Sequence, residues 1–173
     1  ANIDNLDEFA KGISELLAPE GVFIFETGYL LDLIQGSIID NVYHEHLSYF
    51  RVKPLANFFQ RHGLELIEIE HVVTKGGSLR GTVQLANGPK AVSPSVNEYI
   101  NLETSLGFER LSTFKAFVSR IDKVKKELVI LLRDLHVQGK TIVGYGASVG
   151  VTTLLYHFDL GENLEFLIDD NPV

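Results

Sequence analysis

The sequence predicts an α/β protein: the C-terminal half of a doubly wound domain, then a helical connector, then a Rossmann-like βαβ domain. Three observations predict it. Apolar runs of helical and strand character follow one another as helix, strand, long loop, helix, strand, strand through Leu85. Ser95 to Leu135 then keeps a helical apolar period. Finally, Thr141-Ile142-Val143 runs into Gly144-Tyr145-Gly146-Ala147, with a helix and another strand behind it.

The elements can be justified in order. Asp4 to Leu17 places Leu6, Phe9, Ile13, Leu16 and Leu17 at helical spacing after a capping Asp4, and Pro19-Glu20-Gly21 breaks the pattern. Val22-Phe23-Ile24-Phe25-Glu26 is a continuous apolar run ending in an acid, which fits a buried parallel strand. Tyr29 to Phe50 is irregular and rich in polar side chains. Pro54 to His62 reads as a helix with proline in its first turn and a stop at Gly63. Strands are expected around Leu64–Ile69 and Leu79–Leu85, punctuated by Lys75-Gly76-Gly77-Ser78.

Asn87 to Pro94 is the best boundary, which divides the chain into residues 1–90 and 91–173. Phe114, Phe117, Val118, Ile121, Val124, Leu128, Leu131, Leu132 and Leu135 then form one apolar stripe closed by Gln138-Gly139. A helix over Thr152–Phe158 and a strand over Leu164–Ile168, with an exit turn through Pro172, complete the βαβ unit.

Composition narrows the function. A formal charge of −8 argues against nucleic acid, whose phosphates are held by clustered Lys and Arg, but leaves room for a small anionic ligand. No apolar run approaches the ~20 residues that span a bilayer, and no secretory signal opens the chain, so no membrane partner is expected. With no cysteine there is neither disulfide nor thiolate metal site, and a reducing cytoplasm is the expected location. The lack of methionine and the abrupt ends predict a piece of a longer protein.

Three stretches could carry chemistry. In Asp40-Asn41-Val42-Tyr43-His44-Glu45-His46-Leu47-Ser48-Tyr49-Phe50, four consecutive protic side chains suit a cleft better than a core, because each buried polar group needs a partner. On extended backbone, Tyr43 and Glu45 would face one way and His44 and His46 the other. Histidine accepts a proton near neutral pH, a carboxylate orients it, and a tyrosine donates to a developing oxyanion. Such parts suit proton abstraction beside a carbonyl, with an enolate intermediate. A polar loop satisfying its own backbone is the plainer reading, and a metal site on His44 and His46 lacks a clear third ligand beyond Asp40 or Glu45.

The second stretch is Gly144-Tyr145-Gly146-Ala147 through Gly150, with Asp169 and Asp170 ending the next strand. It could hold a phosphate at a helix N-terminus and a ribose hydroxyl on the acid, although the glycines could serve tight packing alone. The third is Lys75-Gly76-Gly77-Ser78-Leu79-Arg80, where Arg80 either presents a guanidinium fork to a substrate or sits exposed on a hairpin. His62, His71, His136 and His157 read as surface or capping residues.

Together these stretches, with Leu17-Ala18-Pro19-Glu20-Gly21 into Phe25-Glu26 and Asp170-Asn171-Pro172, resemble the sugar C-methyltransferases that make branched deoxysugars. The resemblance implies that residues 1–90 are the C-terminal half of a methyltransferase domain with its catalytic loop. Residues 91–173 would be the connector and part of a Rossmann-like C-terminal domain. It further implies S-adenosylmethionine as cofactor, bound mostly outside this chain, and zinc only in a preceding N-terminal domain. The substrate implied is a nucleotide-linked 4-keto-6-deoxyhexose methylated at C3. His46 would be the general base, Glu45 would bind or orient the sugar, and Tyr43 would support the enolate oxygen. His44, Arg80, Gly144, Tyr145, Gly146, Ala147 and Asp169 fall on the substrate side, and this chain alone is expected to be inactive. Two departures stand out: Asn2 where some relatives have histidine, and Gly150 where many have lysine. A nicotinamide-dependent oxidoreductase explains Gly144 to Gly150 with Asp169 but not Tyr43 to His46. A non-catalytic nucleotide- or protein-binding module predicts that those four side chains are dispersed and solvated.

Overall fold

The computed structural model describes residues 1–171, so the turn expected at Pro172 lies outside the described residues. Contacts gather into two compact units, Ala1–Gly36 with Glu45–Phe114 and Ser37–His44 with Lys115–Val173.

The first unit is built on α1 (Leu6–Leu16), β1 (Phe23–Gly28), α2 (Leu30–Gly36), α3 (Val52–Arg61), β2 (Leu64–Val72), β3 (Ser78–Leu85) and α4 (Pro94–Ser105). The cap of α1 is Asn5, whose side chain accepts the Glu8 N–H at 3.1 Å, one residue beyond the expected Asp4. The three strands form one sheet in the order β1-β3-β2, with β3 antiparallel to both neighbours. β1 therefore differs from the buried parallel strand expected. Its described partner is antiparallel, and its exposure alternates, because Ile24 and Glu26 point to the uncovered face.

The core lies on the other face. Leu79 and Val83 of β3 are fully buried beside Leu64, Leu66 and Ile69 of β2. An aromatic run ties the helices to β1: Phe9 on Phe23 at 5.8 Å, Phe23 on Phe25 at 6.1 Å, and Phe25 on Phe59 of α3 at 5.5 Å. α3 starts two residues earlier than expected and keeps Pro54 in its first turn, where a missing N–H costs nothing. α4 is sewn to the edge of β2: Ser93 N–H reaches the Ile67 carbonyl at 2.7 Å, and Ile69 N–H reaches Ser95 Oγ at 3.1 Å. An edge strand that would otherwise offer free ladder groups is thereby covered.

The expected run of helix from Ser95 to Leu135 is two helices. α4 ends near Ser105, Gly107 turns the chain at φ +75°, and α5 (Leu111–Val137) begins beyond it. The nine-residue stripe is also narrower than expected. Ile121 and Leu132 are buried, whereas Val118, Val124 and Leu131 stay exposed on its flanks.

In the second unit, β4 (Gly144–Tyr145) pairs in parallel with β5 (Leu167–Ile168), and α6 (Val151–His157) connects them. This is the expected βαβ unit in a short form. Its backbone pairing reaches a little further, from Glu165 N–H to the Ile142 carbonyl (2.9 Å) through Gly146 N–H to the Ile168 carbonyl (2.7 Å). Lys125 of α5 meets Asp159 at 2.5 Å. Among the described residues, no helix is long and apolar enough to cross a membrane.

Candidate functional site

The polar segment is an excursion that leaves the first sheet after β1. At its neck, Tyr29 N–H donates to the Gly77 carbonyl at 3.1 Å, Leu30 N–H donates to the Phe50 carbonyl at 3.0 Å, and Tyr29 and Phe50 form a parallel bridge. The region expected to be wholly irregular opens with α2, which buries Leu31, Leu33 and Ile34. The segment passes from one compact unit to the other between His44 and Glu45.

On the second unit's side, Thr153 of α6 donates its hydroxyl to the Val42 carbonyl at 2.6 Å. A Cβ on Gly150 would stand 2.5 Å from the Asp40 carbonyl oxygen, so a lysine at this position would not fit this arrangement. Glycine is what lets Asp40 approach. Tyr43 and His44 meet edge to face at 6.1 Å. On the first unit's side, His46 meets Tyr49 edge to face at 6.5 Å.

The backbone turns at His44-Glu45 instead of running extended, and the expected alternation is replaced. Tyr43 and His46 are half-buried, whereas His44 and Glu45 are exposed.

The neck holds the site's most buried charge. Glu103 of α4 is 1% exposed. Its Oε1 accepts from the Tyr29 hydroxyl (3.1 Å) and the Val52 N–H (2.5 Å), and its Oε2 accepts from the Lys53 N–H (3.3 Å). Those amides open α3, whose own N-cap residue, Arg51, supplies no side-chain cap, so the carboxylate stands at the positive end of the helix. Burial, followed by the neighbouring Glu103 charge, pushes the Tyr29 phenol well above its ordinary range, so it stays protonated and donates. Sequence reasoning missed both residues. The available signal was an acid at a core position of α4, seven residues after the buried Val96. Arg51 was missed too; its Nη1 is the single buried side-chain polar atom without a partner among the described residues.

Arg80 lies on the uncovered face of the sheet between two strands. Nη2 binds Glu26 at 3.1 Å and Nη1 binds Glu70 at 3.0 Å, across the register that aligns all three residues. The Thr74 hydroxyl (2.6 Å) and then Arg80 hold the Glu26 carboxyl below its usual range, and Glu26 and Glu70 raise the guanidinium's. His71 pairs with Asp32 at 2.8 Å and His62 with Asp7 at 2.8 Å, each closing a contact between elements.

In the second unit, Asp169 is turned onto backbone. Its Oδ2 accepts the Ala147 N–H at 2.6 Å and its Oδ1 accepts the Asn171 N–H at 2.7 Å, which together hold its carboxyl below the usual range. The Tyr145 hydroxyl donates to Asp170, which raises its phenol. Gly144, Tyr145, Gly146, Ala147 and Asp169 are thus brought together as one turn, with the Ala147 amide already engaged. Among the described residues, no three His, Cys, Asp or Glu side chains are grouped to hold a metal.

Comparison with known proteins is specific. A family model described as the C-methyltransferase C-terminal domain matches residues 73–173. The C-methyltransferase NovU of Streptomyces niveus is 34% identical over 170 residues, covering 98% of this chain and 40% of that protein. The chain thus spans about two fifths of the length of the curated relative it matches.

Proposed function

The chain belongs to the C-methyltransferase C-terminal domain family, and on that premise we propose that it is the sugar-handling part of an enzyme that C-methylates a nucleotide-linked 4-keto-6-deoxyhexose at C3. The observation that carries the reading is the Tyr43-to-His46 excursion, a run of proton-handling side chains tied to folded structure on both sides of its turn.

The chemistry follows from the ketone. A C4 carbonyl acidifies the C3 proton, so a base of near-neutral pKa suffices. In this proposal His46 takes that proton, and the C3–H bonding pair becomes the enolate shared by C3, C4 and the C4 oxygen. The Tyr43 hydroxyl donates to that oxygen as charge develops on it. Glu45 and His44, at the exposed turn, bind and orient the sugar hydroxyls. The enolate carbon is then the nucleophile for a methyl group.

When bound, S-adenosylmethionine supplies that methyl group as a sulfonium electrophile. Two polar groups that could face such a donor already have partners. Glu26, within β1, is engaged by Thr74 and Arg80, and the Ala147 amide in the glycine turn takes no further partner while it donates to Asp169. The donor is therefore assigned to other parts of the enzyme, as is any zinc. On this reading Gly144, Tyr145, Gly146, Ala147 and Asp169 would take the nucleotide once a phosphate replaces Asp169 on the Ala147 amide, and Arg80, considered separately, would have to exchange a carboxylate for any phosphate it binds.

The test is proton exchange. The intact enzyme, incubated in D2O with dTDP-4-keto-6-deoxyglucose and no methyl donor, is expected to replace the C3 proton by deuterium, followed by NMR. His46→Asn should abolish the exchange while dTDP still binds. Exchange at the wild-type rate in that variant would remove His46 from its role. A preference for NAD over dTDP in direct titration of the chain would instead favour a nicotinamide-dependent oxidoreductase.

A further inference from the structure

We infer that Glu103 is a positioning residue for the proposed base His46, acting through the neck of the catalytic excursion; the inference rests on the enolate reading above. Both sides of the neck converge on this one carboxylate. On the outgoing side it takes the Tyr29 hydroxyl, and on the returning side it takes the Val52 and Lys53 amides. Tyr29 is itself bridged to Phe50, whose carbonyl accepts the Leu30 N–H, and Phe50 follows Tyr49, whose ring meets that of His46. Within the first unit, a continuous path of contacts and one peptide bond therefore runs from Glu103 to the imidazole.

The energetics point the same way. Burying a carboxylate is costly unless donors replace its water, and here three donors and a helix N-terminus do so. A helix-capping requirement alone would be met by Ser, Thr, Asp or Asn at the N-cap, but that position holds Arg51. The cap comes instead from α4, in a geometry that also grips Tyr29, the residue where the excursion departs. Removing the carboxylate takes a hydrogen-bond partner from both sides of the neck at once, leaving the Tyr29–Phe50 backbone bridge. Glutamine keeps the shape but has one acceptor oxygen, so its amide nitrogen must face either the Val52 or the Lys53 N–H.

The experiment compares wild type, Glu103→Gln and Tyr29→Phe in the intact enzyme. It reads C3 deuterium exchange without donor, kcat and KM for methylation, the pH profile of kcat/KM, and the thermal midpoint. Glu103→Gln should lower exchange and kcat together by about 10- to 100-fold, because small misplacements of a catalytic group carry penalties of that order. The KM for the methyl donor should stay within about twofold, and the apparent pKa of the base limb should move, which a purely structural role would not produce. Tyr29→Phe keeps the amide bonds to Glu103 and should lower exchange by a smaller factor, so the inference is still tested if Glu103→Gln fails to fold. Folded variants with wild-type exchange overturn the role of Glu103 and leave His46 standing. A wild-type enzyme without exchange sinks the enolate reading and this role with it.

Discussion

The two sheets of this chain are held together in different ways. In β1-β3-β2, the central strand buries Leu79 and Val83 completely, and both neighbours pair with it over most of their length. In β4-β5, two residues from each strand are paired, and Tyr145 and Ile168 remain 73% and 45% exposed. The first is held by packing, and the second by backbone and turn hydrogen bonds around Asp169. Dense apolar burial raises the free energy of local opening, whereas solvated hydrogen bonds leave it low. The excursion carrying Tyr43 to His46 is anchored in both units, and the two anchors should therefore respond differently to mutation.

The sharpest way to break the comparison is in the core. Leu79→Ala should cost about 2–5 kcal/mol, the range for a fully buried leucine whose cavity cannot collapse. Ile168→Ala, already half-solvated, should cost well under about 1.5 kcal/mol. Urea denaturation of both variants measures the difference. Equal losses would mean that β4-β5 is packed as firmly as β1-β3-β2.

Next in size is Gly150→Ala. Its Cβ would press on the Asp40 carbonyl, and overpacking of this kind costs about 1–3 kcal/mol. NMR shifts confined to residues 37–44 and the turn before α6 are expected, with the Leu79 core unperturbed. Thr153→Val should be milder, losing one hydrogen bond to Val42 worth about 0.5–1.5 kcal/mol, and Thr153→Ser should restore it. If valine and serine behave alike, the hydroxyl does not anchor the excursion.

These same contacts show where the sequence was readable. α1, α3, the strands of the first unit and the βαβ connection follow from period and punctuation, because local propensity and burial agree there, whereas α2 and the break between α4 and α5 do not. The order β1-β3-β2 does not follow, since strand pairing is decided across long stretches of chain. The candidate site was legible as a list of residue types, Tyr43 to His46, but not as geometry. The turn at His44-Glu45 regrouped side chains that an extended backbone would have alternated. The signal for Glu103, its core position on α4, was weak for a related reason: a charge inside a helix reads as solvated unless the partners that bury it, Tyr29 and Val52, are known from the fold. Arg80 and Asp169 stood out as ligand-binding candidates because their chemistry is general, and the fold turns that chemistry towards Glu26, Glu70, Ala147 and Asn171.

The smallest expected effect is also the most specific to the second unit. Asp169 is exposed, and backbone amides hold its folded carboxyl below the ordinary range, so its contribution carries a definite sign. A depressed folded pKa stabilises the turn at pH above the unfolded value of ~3.9 and ceases to do so as pH falls through the folded value. The Ala147 and Asn171 amide resonances should therefore move together on acidification below the usual carboxylate range, while the amides of β3 hold their positions. Asp169→Asn has one acceptor oxygen for two amides and should weaken the turn at neutral pH while removing this acid transition. Retention of the transition in that variant would assign it to a different carboxylate and leave the turn without the role of Asp169 as its organising group.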